Sequence, residues 1–262
     1  DRTIELELLH RHLQCVDAVR ATLGVNVREY IITDEPLKVQ LSRAESGASW
    51  GNIGNVDTLL RAGEKLIKSG INALAVVARF PDDTDSQALQ DYRYGGGVDA
   101  LAGAEAVISH LLVREFQIPC AHAPALSPLP LDVNISPKAA AEELGFTFLP
   151  CVLVGLSRAP QYTLNRYDYH SLWADSVDSV IIPHSACGGS AILNFSASDT
   201  LIISVTDNQT VLNIFPQDLG IKTVTVTSYL EAIGAIASHR SGVEISALKG
   251  EIQSIADFGV RS

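Results

Sequence analysis

Four polar side chains come directly after apolar runs that are typical of buried strands. Arg79 follows ALAVVA, His122 follows IPCA, His184 follows SVIIP and Asp207 follows LIISVT. Ligands of open α/β sheets bind beyond the carboxyl ends of the strands. If these strands are parallel, the four side chains share one edge of a sheet. The sequence therefore predicts a cleft there, against the alternative that each residue is satisfied within its own loop.

Two kinds of chemistry fit these residues. Cys187 lies three residues after His184 and just before a predicted helix, where a helix N-terminus stabilises a thiolate and a histidine acts as base. His122 suits general acid or base catalysis, with Asp207 or Glu105 as the carboxylate that orients its ring. A buried inert thiol and a histidine bonded to backbone are the plain alternatives. The predicted catalytic residues are thus His122, His184, Cys187 and Asp207.

Glycine-rich junctions before predicted helices indicate a site for an anion. Glycine lets backbone approach a ligand closely, and the N–H groups at a helix start attract phosphate or carboxylate. None of the junctions has the Walker or dinucleotide spacing, so each also fits a simple tight turn. The residues predicted to hold the anion are Gly51, Asn52, Asn55, Gly95, Gly96, Gly97, Gly188, Gly189 and Ser190.

The segment after Gly97 adds two acids to this hypothesis. Asp99 and Glu105 lie near the start of a helix that is apolar over most of its circumference and therefore buried. A buried acid needs a partner, so both residues either face the cleft or brace the helix. Arginines that supply counter-charges for an anion are Arg43, Arg79, Arg93, Arg158 and Arg166.

No metal site is predicted. The acidic turn FPDDTD is typical of an exposed surface, and His10 and His12 project from different faces of a helix. The four cysteines form no CxxC pair, which excludes the usual zinc and redox motifs. They are Cys15, Cys120, Cys151 and Cys187.

Helical and strand-like segments alternate along the chain, which predicts an α/β fold with a mostly parallel sheet and helices on both faces. Helices are expected at 4–23, 56–69, 100–114, 137–144 and 229–240. Strands are expected at 28–33, 73–78, 118–121, 149–155, 177–183, 201–206 and 223–228. The polar and aromatic segment 159–177 is predicted to connect two closely packed lobes, 1–158 and 178–262, although one continuous domain also fits.

Composition limits the partners. The formal net charge of −11 opposes nucleic-acid binding, since such proteins gather basic residues. No apolar stretch reaches the roughly 20 residues that span a bilayer. A cytoplasmic or plastid stromal protein is expected. The chain contains no methionine, so we also expect that a segment upstream was removed or is not represented.

Several segments resemble a known family. YRYGGGVDALAGAEAVISHLL, PCAHAPAL, AAEELGFTFLPCVLVGLSRAPQY and SGASWGNIGN are similar to a domain of unknown function found in cyanobacteria and plastid-bearing organisms. The resemblance covers nearly the whole chain. It implies a longer N-terminal region with another glycine-rich segment and the cytosol or plastid stroma as compartment. It implies no activity, cofactor or catalytic residue.

Two function hypotheses follow. The first is an enzyme that acts on a small anionic metabolite, phosphorylated or carboxylated, by acid–base or thiol chemistry. The second is a non-catalytic module that senses a metabolite or assembles with a protein, for which the aromatic stretches DYRYGGG and NRYDYHSLW would supply an interface. A homo-oligomer fits either hypothesis, and no cofactor is indicated.

Overall fold

The computed structural model describes residues 1–45, 48–166, 168–248, 250–252 and 254–255. The chain forms two units, Asp1–Tyr169 and His170–Ser262. The boundary between them falls inside the segment 159–177 that was predicted as the connection. The close packing of two lobes stays a prediction.

The first unit combines six helices with four strands in its described part. The helices are α1 (Leu6–Leu23), α2 (Val56–Lys68), α3 (Gln87–Arg93), α4 (Ala102–Phe116), α5 (Ala140–Leu144) and α6 (Phe148–Leu156). The strands are β1 (Val39–Arg43), β2 (Ser49–Ile53), β3 (Leu74–Arg79) and β4 (Cys120–Ala125). β3 and β4 pair in parallel, and β1 and β2 form an antiparallel hairpin.

Helices cover both faces of the β3–β4 pair. Successive side chains of a strand point to opposite faces. Val76 of β3 accordingly packs with Ile108 of α4 in one core cluster. Ala123 of β4 packs with Leu153 of α6 and Val19 of α1 in another. Helices therefore cover both faces of this pair, which explains why most of its strand residues are apolar.

The second unit has the same layering. Its strands β5 (Ser179–Pro183), β6 (Leu201–Val205) and β7 (Val224–Val226) pair in parallel in that order. The helix α7 (Ser190–Phe195) covers one face, where Ile192 contacts Ile202. The helix α8 (Tyr229–Arg240) covers the other, where Ala232 packs on Ile203. Short 3-10 helices occupy Ala174–Ser176, Pro216–Leu219 and Ile245–Leu248.

The predicted α/β class with parallel strands and helices on both faces is confirmed. The parallel strands lie in two separate sheets of the described chain, one in each unit. No helix among the described residues has the length and apolar character needed to cross a membrane.

Two predicted strands are wrong. Residues 28–33 are not in a strand, and Tyr30 and Ile32 are exposed there. Residues 149–155 belong to the helix α6, which is buried against β3, β4 and α1. A short run that is apolar on every side looks the same in a buried helix and in a buried strand, because periodicity cannot separate them.

Other predicted boundaries also move. The helix expected at 137–144 is shortened to α5, because Ala139 and the residues before it form a turn around Ser136 and Pro137. The glycine-rich segment before α2 is part of the hairpin, so Gly51 and Asn52 lie in β2. Asn55 precedes α2 without capping it, since its Nδ2 atom donates to the Pro36 carbonyl at 2.7 Å.

Candidate functional site

His122 lies within β4, on the face that α4 covers. Its backbone is in register with Val76, which packs against Ile108 of α4. The Ser109 Oγ and His122 Nδ1 atoms are 2.5 Å apart, and His122 Nε2 lies 3.6 Å from Glu105 Oε2. Glu105 and Ser109 are four residues apart on α4, so both project from the same side of that helix. One helix thus presents a hydroxyl and a carboxylate to one imidazole.

This arrangement supports proton transfer. With hydrogen on Nε2, the His122 ring accepts a hydrogen bond from the Ser109 hydroxyl at Nδ1 and presents its N–H to Glu105. A base that contacts a hydroxyl, and is itself oriented by a carboxylate, is the arrangement that activates a serine nucleophile. The prediction that His122 follows its strand is wrong, because β4 continues to Ala125. The predicted pairing of His122 with Glu105 is present in the structure.

Three acidic groups lie near this trio. Burial raises the pKa of Glu142 to about 8, and the charges of Asp99, Glu105 and Glu143 add to the rise. Burial also raises the pKa of Asp99, to which the charge of Glu105 contributes. The Tyr92 phenol has its pKa raised to about 12, again mainly by burial. This part of the first unit therefore holds several acidic groups whose charged forms are disfavoured by burial and by one another.

Arg79 is bound to acids of its own unit. Its guanidinium donates to both carboxylate oxygens of Glu5 and to Asp82, with a shortest distance of 2.6 Å from Nη2 to Asp82 Oδ2. The hydrogen bond with Asp82 is the main cause that raises the pKa of Arg79, and it lowers the pKa of Asp82 to about 2. Arg79 is the last residue of β3, not the first beyond it. Its charge is therefore already neutralised.

The glycine-rich segment 95–97 closes a helix. The amides of Gly95 and Gly96 donate to the carbonyls of Tyr92 and Asp91 at the end of α3. Gly95 and Gly97 have φ angles of 86° and 67°, which glycine adopts without strain. These two amides satisfy a helix end, so the tight-turn alternative describes them. Asp99 Oδ1 accepts from the Leu101 amide at 2.8 Å and so holds the start of α4.

Gly51 has a packing role in β2. A Cβ atom added there would collide with Ala104 and lie 2.7 Å from the Gln40 carbonyl oxygen. Asn52 lies next to it in the strand, and its Oδ1 accepts from the Ile53 amide at 2.8 Å. The geometry therefore explains this glycine by the close approach of β2 and α4.

The second unit holds His184 in a network of hydroxyl groups. His184 follows β5 as predicted, and its Nδ1 lies 3.0 Å from the Oγ of the fully buried Ser204. The Ser204 hydroxyl lies 3.1 Å from Thr225 Oγ1 on the neighbouring strand. The ring also packs on Phe215, with 5.5 Å between ring centroids. These contacts fix the imidazole against the sheet.

Cys187 is a core residue. It is 0% exposed and packs with Ile192 and Ile202. Burial raises the pKa of its thiol, which opposes formation of the thiolate that a nucleophile requires. The thiol form of the catalytic hypothesis thus has no support in the geometry.

The junction after Cys187 is shaped by packing. A Cβ atom at Gly188 would lie 2.7 Å from Ile214 Cδ1, and Gly189 precedes α7, which starts at Ser190. Asp207 is exposed, and its amide donates to the Thr227 carbonyl at 2.9 Å.

The predicted site residues divide between the units. Arg79, Asp99, Glu105 and His122 belong to the first, whereas His184, Cys187 and Asp207 belong to the second. The structure brings together Glu105 and His122, with Asp99 close enough to sense the charge of both. The described residues contain no group of three or more His, Cys, Asp or Glu side chains able to hold a metal ion.

Sequence reasoning missed Ser109, Tyr92 and Glu142. The helical spacing of Glu105 and Ser109 was a usable signal for the first, because side chains four apart share a face. Glu142 offered only the general rule that a glutamate in an apolar helix is worth examining. Nothing in the spacing of Tyr92 distinguished it from the other tyrosines.

Comparisons with known proteins agree with the resemblance found in the sequence. A family model described as a protein of unknown function, DUF3326, matches residues 1–249. An uncharacterized lipoprotein of Synechococcus sp. (strain ATCC 27144 / PCC 6301 / SAUG 1402/1) is 54% identical over 249 residues, which are 95% of this chain and 69% of that protein. No solved structure matches the chain. The chain belongs to the DUF3326 family.

Proposed function

We propose that the protein is an enzyme in which His122 acts as general base on the Ser109 hydroxyl. The observation that carries this proposal is the 2.5 Å distance from Ser109 Oγ to His122 Nδ1, with Glu105 on the other side of the ring. The proposal therefore retains the acid–base chemistry at His122 that the sequence predicted. It does not retain the thiol chemistry at Cys187.

The reaction class is acyl or phosphoryl transfer to a serine. The Ser109 oxygen would attack an electrophilic carbonyl carbon or phosphorus, and the hydroxyl proton would pass to His122 Nδ1. The bond to the leaving group then breaks, and that group departs with its electron pair and takes the proton from the imidazolium. Glu105 stabilises the charged ring in between, as a carboxylate does in serine hydrolases.

The anionic substrate stays a prediction. Its expected counter-charge Arg79 is bound to Glu5 and Asp82, and Arg93 is bound to Glu143 at 2.7 Å. The acids around Glu105 also repel an anion. A small uncharged ester or amide suits this environment better than a phosphorylated or carboxylated metabolite.

A fluorophosphonate probe tests the serine directly. Attack by Ser109 forms an oxygen–phosphorus bond and expels fluoride, so the labelled peptide is identified by mass spectrometry. We expect labelling at Ser109 in the wild-type protein and none in Ser109→Ala. His122→Gln and Glu105→Gln should label more slowly, the former by about a hundredfold or more, since general base catalysis contributes that much.

His110→Gln is the matched control. His110 is exposed on the same helix, next to Ser109, and should leave the labelling rate unchanged. The proposal fails if folded wild-type protein labels no faster than denatured protein, or if His122→Gln labels at the wild-type rate.

A second function is favoured by a different observation. Three apolar side chains of the segment that connects the units are almost fully exposed: Leu164 at 88%, Leu172 at 94% and Tyr169 at 98%. Exposed apolar groups that lie together mark surfaces that contact other proteins, and these three fall within residues 164–172. We propose a protein-assembly or homo-oligomeric role as the alternative, and light scattering of wild-type protein against Leu164→Ser/Tyr169→Ser/Leu172→Ser tests self-association.

The compartment is a proposal as well. The sequence predicted cytosol or plastid stroma, whereas the name of the Synechococcus relative supports attachment to a membrane through a lipid. Membrane fractionation of the native protein distinguishes these two compartments. A lipid-attached protein should stay with the membranes during a salt wash and be released by detergent.

A further inference from the structure

A small cavity opens beside the acidic groups of the first unit. Its volume is about 50 Å³, which exceeds what one water molecule needs. The walls are largely apolar and include Leu41, Leu89, Leu101, Leu126 and Leu129. Four carboxyl side chains reach its lining, and none of the described lining residues is basic. The lining of the cavity is therefore mainly apolar, with acidic groups and no basic one among its described residues.

Glu142 is the residue that indicates a ligand in this cavity. It is only 5% exposed, lines the cavity from α5, and its carboxyl has no hydrogen-bond or ion-pair partner in the described part of the chain. Its neighbour Glu143 shows the usual arrangement, since it forms a two-bond ion pair with Arg93 at 2.7 and 3.1 Å. An acid without a partner is costly to bury. A positively charged ligand would supply the missing partner.

We propose that this cavity binds the ammonium group of a small primary amine, with Glu142 as its counter-charge. The leucine walls hold the short alkyl part, and Asp99 adds a second carboxylate to the lining of the cavity. The inference goes beyond the proposed function, because it does not involve Ser109 and stands without any reaction there.

Other ligand classes fit less well. An anion would meet four carboxyl groups and no basic side chain among the described lining residues, where burial and then the charges of nearby acids already raise the pKa of Glu142. A divalent metal needs several oxygen ligands arranged around it. The described residues form no group of three or more His, Cys, Asp or Glu side chains able to hold one. An ammonium group needs only one good carboxylate and nearby acceptors.

Ethylammonium chloride is the probe, added to the ¹⁵N-labelled full chain and followed by amide chemical shifts. We expect saturable shifts at Leu101, Leu126 and Glu142, with sodium chloride as the ionic-strength reference. Glu142→Gln should weaken the apparent affinity by at least about tenfold, because it removes a charge-assisted hydrogen bond. Glu115→Gln, an exposed acid on α4, should leave the affinity unchanged.

The pH dependence gives a second readout. Affinity should rise from pH 6 to pH 8.5, because the Glu142 carboxyl has a pKa of about 8 and ionises in this range. The charged or titratable groups that line the cavity with it or lie near it are Asp82, Asp83, Asp99, Glu105, Glu143, Tyr92 and Arg93.

Several outcomes would overturn the proposal. One is the absence of saturable shifts at any pH, and another is equal binding by Glu142→Gln. If ethanol produces the same shifts as ethylammonium, the cavity is merely apolar and selects no charge. Shifts from Mg²⁺ that exceed those from ethylammonium and disappear in Glu142→Gln would assign the site to a metal instead. Asp99→Asn repeats the comparison on a second carboxylate.

Discussion

Arg79 and Arg93 are both largely buried, and each is bound to carboxylates. These pairs show how the first unit treats a buried charge: it surrounds the charge with groups of opposite sign. Glu142 departs from that pattern, because its environment contains acids and no cation in contact. A residue that breaks the local rule is expected to matter for a ligand, for pH response, or for both.

Glu142 should make the stability of the first unit depend on pH. Its pKa rises from the ordinary 4.5 to about 8 in the folded state. Between these values the folded protein keeps a proton that the unfolded protein has lost. The free energy of unfolding therefore falls as pH rises from about 5 to 8. The protonated group favours folding fully below pH 4.5, and this advantage is lost as pH rises through 8.

The variant Glu142→Gln should remove this fall in the free energy of unfolding at high pH. We expect the variant to be more stable than wild type by roughly 1–3 kcal/mol at pH 8, with the difference shrinking towards pH 5. Urea unfolding measures it at several pH values. The chain has two tryptophans, so Trp173→Phe leaves Trp50 as a reporter for the first unit. Glu115→Gln serves as the exposed control, and a difference that stays constant with pH would contradict the assignment.

At the residue scale, the sequence identified part of the candidate site. His122, Glu105 and Asp99 were chosen from local context, and α4 and β4 do bring them together. The partners of a charge are not local: Glu5 lies 74 positions before Arg79 along the chain, so its neutralisation of that arginine was not visible. The burial of Cys187 likewise depends on β6, which follows it in sequence. Contacts between distant segments decide which polar groups stay reactive.

At the level of elements, α4 is held unusually close to β2. A Cβ atom at Gly103 would collide with the backbone of Ser49 and Trp50, and the Gly103 amide donates to Ser49 Oγ at 3.2 Å. Gly51 approaches Ala104 from the other side. Since α4 also carries Glu105 and Ser109, this contact helps to set the distance of both side chains from β4.

Gly103→Ala should therefore destabilise the first unit. Overpacking against backbone that cannot move costs about 1–3 kcal/mol. Gly155→Ala in α6 is the matched control, because a Cβ atom there has open space and alanine is the better helix former. Urea unfolding followed by circular dichroism should show a lower midpoint for the first variant only. Equal midpoints would mean that α4 moves away from β2 without cost.

The prediction of helices and strands succeeded for some elements and failed for others. The helix α8 has the predicted bounds, and its start is held by two hydrogen bonds: Ser228 accepts from the Glu231 amide at 3.2 Å, and Glu231 accepts from the Thr227 amide at 2.7 Å. The helix α6 was taken for a strand because its run has no polar face at all. The hairpin of β1 and β2 was missed, since glycine and polar residues in Ser49–Ile53 indicated a loop.

At the scale of the whole molecule, the chain repeats one plan twice. Each unit places helices on both faces of a short parallel sheet, with its own core clusters. The two histidines that were predicted to share a cleft belong to different units: His122 contacts α4, and His184 contacts β6. The proposed reaction and the proposed amine site both lie in the first unit, so each can be tested without reference to the second.

The connection between the units should be the first part of the chain that a protease cuts. Apart from a 3-10 helix at Ala174–Ser176, its described residues from Ser157 to Asp178 form no helix or strand, and Leu164, Tyr169 and Leu172 are exposed. Exposed segments without regular structure are preferred sites of cleavage. Brief chymotrypsin treatment should therefore cut after these residues, and mass spectrometry should find two fragments that meet there. The variant Leu164→Ser/Tyr169→Ser/Leu172→Ser should be cut more slowly, and only after the aromatic residues of the segment that remain, which are Tyr162, Tyr167 and Trp173. First cuts at Leu131 or at Leu230, which are also exposed, would contradict this prediction.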